Sequence, residues 1–184
     1  EEVASAAGLQ SFLRTLALAI STSLALTIWG NAQRTSHNAL ADTLESEGIR
    51  LIASTTYTQD QLVTPGVLTR TQPSAAQLED ARHGWELCRQ LSRLDIGQSI
   101  AIKDKDVIAV EALEGTNAMI ERAGQLCKTG GWTLIKVANA HQDMRMDVPT
   151  VGVTTIEKLA AARAACVVLE ERKTTFLERE KVIE

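Results

Sequence analysis

A core for this chain has to be assembled almost without aromatic side chains. Two Phe, three Trp and one Tyr make up 3% of its 184 residues, while hydrophobic residues in total reach 45%. Ala, Leu, Ile and Val must therefore fill the interior, which suits helices laid on a buried sheet better than an aromatic-rich β-sandwich. The length is enough for one ordinary domain with a sizeable core. Charged residues are 23% and the formal net charge is −4. That balance is globular and carries no basic run, which argues against nucleic acid as the main partner.

Helix and strand signals alternate along the chain. Residues 36–47 read as a helix capped by Ser36 or Asn38 and stopped at Gly48, and 49–53 as a short strand. Residues 54–70 read as a long loop with a turn at Thr64-Pro65-Gly66. Ser74 and Gln77 have capping-box spacing and open a helix through Leu94, with Leu78, Ala81, Trp85, Cys88 and Leu91 on its apolar face. Strands follow at 98–103 and 107–111 around a tight hairpin at Asp104-Lys105-Asp106. A helix capped by Thr116 or Asn117 ends near Cys127 and breaks at Gly130-Gly131, and 133–137 is a buried strand. A helix capped by Thr154 or Thr155 then runs through Ala165, before strands at 166–169 and 174–177. This alternation predicts an α/β domain, layered, with a mixed sheet flanked by helices.

The expected organisation is a helical linker or the remnant of a preceding N-terminal domain over 1–35, then an α/β domain over 36–184. Residues 12–30 are the one candidate membrane segment, at the lower length limit for a bilayer crossing. Their Ser and Thr content, and a helical stripe of Leu9, Phe12, Leu13, Leu16 and Ile20, favour a buried helix or helix pair. Cys88, Cys127 and Cys166 are widely spaced, with neither a CxxC nor a Cys/His cluster. They read as free thiols of a reducing cytosol and not as a zinc site.

Two segments carry the chemistry-bearing residues. In the first, 110–119, Glu111 and Glu114 flank a strand end, Gly115 allows close approach, and Thr116-Asn117 begins a helix whose free N–H groups suit a phosphate. A plain capped helix after a turn is the structural alternative. In the second, 136–152, Lys136 and Arg145 can neutralise phosphate charge. Asp143 and Asp147 can hold Mg²⁺, or one of them can orient the attacking water. If the segment is extended, Asp143, Arg145 and Asp147 share one side, between Met144 and Met146. An ion-pair role for Arg145 and a surface hydrogen-bonding role for His141 are the structural alternatives.

Four stretches taken together resemble a known family. They are Leu62-Val-Thr-Pro-Gly-Val-Leu-Thr-Arg70, Leu94-Asp-Ile-Gly-Gln98, Val110-Glu-Ala-Leu-Glu-Gly-Thr-Asn-Ala-Met119 and Gln142-Asp-Met-Arg-Met-Asp-Val-Pro-Thr-Val-Gly152. In that order, across residues 39–181, they resemble the C-terminal domain of the UDP-2,3-diacylglucosamine pyrophosphatase family of lipid A biosynthesis, the type that is not calcineurin-like. The resemblance implies metal-dependent hydrolysis of that UDP-sugar lipid to UMP and 2,3-diacylglucosamine 1-phosphate. It also implies Mg²⁺ or Mn²⁺ as cofactor, action at the cytoplasmic face of the inner membrane as a peripheral protein, and an N-terminal domain that completes the substrate site. A homodimer is compatible with it. Carried onto this chain, the implied roles are catalysis by Asp143 and Asp147, substrate binding by Thr116, Lys136, Gln142 and Arg145, and metal binding by Glu114, Asn117, Asp143 and Asp147. The chain departs from the family pattern at Asn117, where Asp is usual, and at His141, where Gly is common. An amide at 117 keeps capping geometry and loses the charge, so a homologue that binds without turnover is the alternative.

Overall fold

A computed structural model describes residues 39–141, 144, 145 and 147–184. The chain divides into two units, Glu1–Leu51 and Ile52–Glu184. In the first, residues 39–46 are helical and stop as expected at Gly48, whose φ is +79°. Gly48 N donates to Glu45 O (3.0 Å) and Ile49 N to Leu44 O (2.9 Å), the paired bonds that close a helix on a left-handed glycine. The strand expected at 49–53 does not form. Those residues are irregular and lead into 3₁₀ turns at Ser54–Tyr57 and Gln59–Gln61, where Thr56 N bonds locally to Ala53 O. An apolar run becomes a strand only beside a partner, and among the described residues this one has none. Residues 12–30 lie outside the described residues, among which no helix is long and apolar enough to cross a membrane.

The second unit is built on a mixed four-stranded sheet in the order β2-β1-β3-β5. Its strands are β1 (Ser99–Lys103), β2 (Asp106–Val110), β3 (Trp132–Lys136) and β5 (Ala164–Leu169). β1 runs antiparallel to both β2 and β3, and β3 is parallel to β5. Helix α1 (Ala75–Arg93) covers one face, where Cys88 packs on Ile100, Ile102, Ile135 and Val137. The other face packs Met119, Ile120 and Ala123 of α2 (Gly115–Leu126) and Leu159 of α3 (Val153–Ala161) on Ala101, Ala109 and Leu134. The layered α/β arrangement is the one expected. A smaller pair, β4 (Thr150–Val151) parallel to β6 (Thr175–Phe176), closes over Val63 and Val182, the latter in α4 (Arg179–Ile183).

Local sequence explains most element boundaries. Ser74 Oγ accepts from Gln77 N and Gln77 Oε1 accepts from Ser74 N, the reciprocal box that opens α1. The β1–β2 hairpin turns on Asp104 and Lys105, both left-handed at φ +52° and +67°. Two non-glycine residues there are strained, and the carboxylate of Asp80 compensates by accepting from Asp104 N (3.1 Å) and Lys105 N (2.7 Å). Asp80 is buried. Asp80→Ala is therefore expected to cost about 2 kcal/mol in urea unfolding, because two turn N–H groups lose a charged acceptor. Asp80→Asn should recover part of it.

Two expectations shift. The most buried line of α1 is Asp80, Gly84, Cys88 and Ser92, which shares Cys88 with the expected stripe and is shifted from it elsewhere. A Cβ at Gly84 would lie 2.3 Å from Ile135 Cδ1, so the helix reaches the sheet through its small residues. Trp85 and Leu91 flank that line half-buried, and Leu78 is exposed. Further on, α3 starts after Gly152 and ends at Ala161 rather than Ala165. Arg163 takes φ +58°, and residues from Ala164 onward pair with β3. Gly130 and Gly131, both at positive φ, break the chain after α2 as expected.

Candidate active site

The ends of β2, β3 and β5 meet at one edge of the sheet, and the polar residues of three of the four motifs collect there. Register fixes this. Lys136 is opposite Ser99 on one side and Leu169 on the other, and Glu111 N donates to Ser99 O (2.8 Å). Lys136 Nζ donates to Thr116 Oγ1 (2.6 Å), whose hydroxyl donates to Glu111 Oε1 (2.9 Å). Lys136 and Glu111 are both buried. Burial pushes the Lys136 ammonium below its ordinary pKa, and the charges of Glu111, Cys88 and Asp147 oppose that shift. The centre thus holds a desolvated cation, a carboxylate and a hydroxyl beside the first turn of α2. Glu111 Oε2, Ser99 Oγ and Gln98 Oε1 are buried with no hydrogen-bond partner among the described residues.

The segment after β3 is pinned at both ends. At its start, Ala138 N donates to Glu170 Oε2 (2.8 Å) and Ala140 N to Ser92 Oγ (2.8 Å), while Val137 N extends the sheet to Gln98 O. His141 N donates to Asn139 Oδ1, and its ring Nε2 lies 3.3 Å from Arg93 O. At its far end, Thr175 N donates to Pro149 O (2.8 Å) as β4 pairs with β6. Between these anchors Met144 and Arg145 sit in a turn. Asp143 and Met146 lie outside the described residues, and with them the alternation expected of an extended segment; a strand begins at Thr150.

The residues singled out from sequence fall in several places. Thr116 and Lys136 touch directly. Asp147 is exposed and close enough for its charge to act on Lys136. Arg145 is half-buried in the loop. Asn117 is exposed on the first turn of α2, and the N-cap is Glu114, so neither Thr116 nor Asn117 caps this helix. Glu114 pairs with Arg122, whose guanidinium holds the carboxyl below its usual range and also donates to Val110 O. Gln142 and Asp143 lie outside the described residues. Among the described residues no three His, Cys, Asp or Glu side chains cluster as a metal site.

Sequence reasoning placed Glu111 at the strand end without giving it a role, and passed over Ser92, Glu170 and Gly97 as parts of this edge. Glu111 and Gly97 lie inside recognised motifs, which is the signal that was there to read. A Cβ at Gly97 would fall 1.8 Å from Glu111 O, so this glycine sets how closely β1 approaches the Glu111 strand end. Asp95, left-handed at φ +58°, turns the chain out of α1 towards it, with Ile96 N donating to Leu91 O.

Behind the centre, Cys88 Sγ donates to Gln98 O (3.3 Å). Burial pushes this thiol up to about 12 from 9.0. In the pH range between those values the unfolded chain releases the proton first, so the folded chain holds more protons and stability falls as pH rises. The slope contributed is at most about 1.4 kcal/mol per pH unit. Urea titrations across that range should show a shallower decline for Cys88→Ala than for the parent chain.

Comparison with known proteins follows the same residues. The LpxI C-terminal domain family matches residues 64–184, which include the Lys136 centre, both anchors of the loop and every element from α1 onward. The UDP-2,3-diacylglucosamine pyrophosphatase LpxI of Caulobacter vibrioides is 32% identical over 149 residues, covering 77% of this chain and 53% of that protein. The chain spans about half the length of that curated relative. The family match runs over about two thirds of the sequence, and on that basis the chain belongs to the LpxI C-terminal domain family.

Proposed function

We propose that the Lys136 edge is one half of a pyrophosphatase site that cleaves UDP-2,3-diacylglucosamine to UMP and 2,3-diacylglucosamine 1-phosphate. The observation that carries this reading is the Lys136–Thr116–Glu111 relay, a desolvated ammonium held at the start of a helix within the family-matched region. The activity for which the Caulobacter relative is named supports the choice of substrate. An ammonium out of water and the N–H groups of a helix start both favour a phosphoryl oxygen that gains charge as the anhydride breaks. Arg145 would add bidentate contact to phosphate, with Gln142 as a polar partner.

A hard divalent cation fits the donor chemistry, because one oxygen of Glu111 is buried and unpartnered among the described residues and Asp147 stands nearby. Asp143 and Asp147, with Glu111, would hold Mg²⁺ or Mn²⁺, which would neutralise phosphate charge when bound. Glu114, committed to Arg122, is the weaker candidate ligand, and Asn117 offers only a neutral amide oxygen. One of the two aspartates would orient the attacking water. An N-terminal domain, as the family resemblance implies, would complete the site, and the substrate's acyl chains favour work at a membrane surface, which by the same resemblance is the cytoplasmic face of the inner membrane.

The test is UMP release by the chain joined to the N-terminal half of the Caulobacter relative, with Asp143→Ala and Asp147→Ala as comparisons. Both variants should lose most turnover, and full turnover in both would remove the loop from the mechanism. The exposed Asn117 favours a second reading, a homologue that binds without turnover. Under it, the substrate binds, UMP is not released, and Asn117→Asp restores no release.

A further inference from the structure

A cavity of about 210 Å³ is lined by Arg89, Ser92, Arg93, Asn139, Met144 and Lys173 among others, and by none of Lys136, Thr116 and Glu111. Among the described residues that line it are three cations and no carboxylate. Arg89 Nη1 (3.2 Å) and Lys173 Nζ (2.9 Å) both engage one oxygen, Glu170 Oε1, while Glu170 Oε2 is occupied by Ala138 N. Arg93 adds a third cation to the lining, and Glu170 lies beneath the cavity without lining it. Glu170 therefore sets the positions of two of the three cations, and a further described carboxylate, Asp95, accepts from Asn139 Nδ2 (3.3 Å). Arg89 and Arg93 sit in the C-terminal part of α1, where the helix dipole favours positive side chains.

We infer that this cavity binds a phosphoryl group, independently of the Lys136 centre. A phosphate ester supplies negative charge to a cation-lined wall and enough acceptor oxygens for two guanidinium groups and an ammonium. The volume admits such a group with part of what it is attached to, and Met144 offers an apolar wall. The walls from Ala138 to Ala140 are fixed by Ser92 and Glu170, so the cavity is formed before any ligand arrives. The inference goes beyond the hydrolysis reading, since anion binding here needs no bond cleavage.

Calorimetric titration of the whole chain with inorganic phosphate tests it, using Arg93→Gln/Lys173→Gln as the site variant. Lys158→Gln, which removes one charge at the remote Glu121 pair, serves as the control. Phosphate should bind the parent chain and the control alike, and the site variant at least about tenfold more weakly. Circular dichroism checks that the variant is folded. Parallel titrations with UMP and glucose 1-phosphate identify the source of the phosphoryl group, the tighter ligand being the one whose remaining atoms also fit. Equal binding by parent and site variant, or no binding by the parent chain, overturns the assignment. Either result leaves the UMP-release experiment unaffected, so the two readings fail separately.

Discussion

Lys136→Met is expected to lower UMP release by the completed enzyme about 10²–10³-fold, the scale of losing one preorganised charge contact to a transition state. It should also cost stability. Glu111 is buried and hydrogen-bonded by Thr116 alone among the described residues, so removing the ammonium leaves a carboxylate without its neighbouring cation. The two charges are linked through the Thr116 hydroxyl, and leaving the buried carboxylate uncompensated costs about 2 kcal/mol or more. Combining Lys136→Met with Glu111→Gln removes both charges together and should recover much of the fold while activity stays lost. Urea midpoints and UMP release, measured on both variants, separate these effects. If the double variant recovers turnover along with stability, Lys136 is structural and the proposed centre is wrong.

The second large effect is expected at Gly97. A Cβ there meets the Glu111 carbonyl oxygen at 1.8 Å and its carbon at 2.7 Å, and these are backbone atoms that no rotamer change can move. Gly97→Ala must therefore push the entry of β1 away from the strand end that carries Glu111, opening the Glu111 N to Ser99 O bond. A destabilisation of about 3 kcal/mol or more is expected, at the high end for overpacking. Amide exchange should quicken at Glu111 and at the neighbouring residues of β1. Gly84→Ala provides the contrast. The nearest atom there is the end of the Ile135 side chain, which can rotate, so its cost should be smaller. A Gly97→Ala chain with an unchanged urea midpoint would contradict the close approach.

What the amino-acid sequence made legible was mostly local. The capping box at Ser74, the turn at Asp104-Lys105, and the double glycine after α2 each act through neighbours in the chain, and each stands where expected. Alternating patterns also sufficed for the layered α/β class, because burial of one helix face on a sheet leaves a periodic trace. Placement of the 49–53 run depended on a partner strand, which no local pattern reveals. The α1 face was read correctly at Cys88, Trp85 and Leu91, but hydrophobicity also marked the exposed Leu78 and passed over Gly84, which close packing selects.

The candidate site was legible in its residue types and not in its assembly. Thr116 and Lys136 were singled out separately, and only the β1–β3 register brings them into contact. Glu111 reads locally as a strand end, although its carboxylate is what Thr116 addresses. Glu170 was invisible for the same reason, since its bonds reach Arg89 and Ala138 across the fold. Glu114 shows the reverse, a carboxylate prominent in its motif that turns away to Arg122.

Nitrogen-15 NMR of the lysine ammonium groups tests the central claim most directly. The completed enzyme would be titrated with a non-hydrolysable, methylene-bridged analogue of UDP-2,3-diacylglucosamine while the Lys136 signal is followed. The account predicts that the Lys136 signal shifts in step with binding measured by calorimetry, while that of Lys158, paired with Glu121, stays in place. Saturated binding with the Lys136 signal unmoved would contradict it.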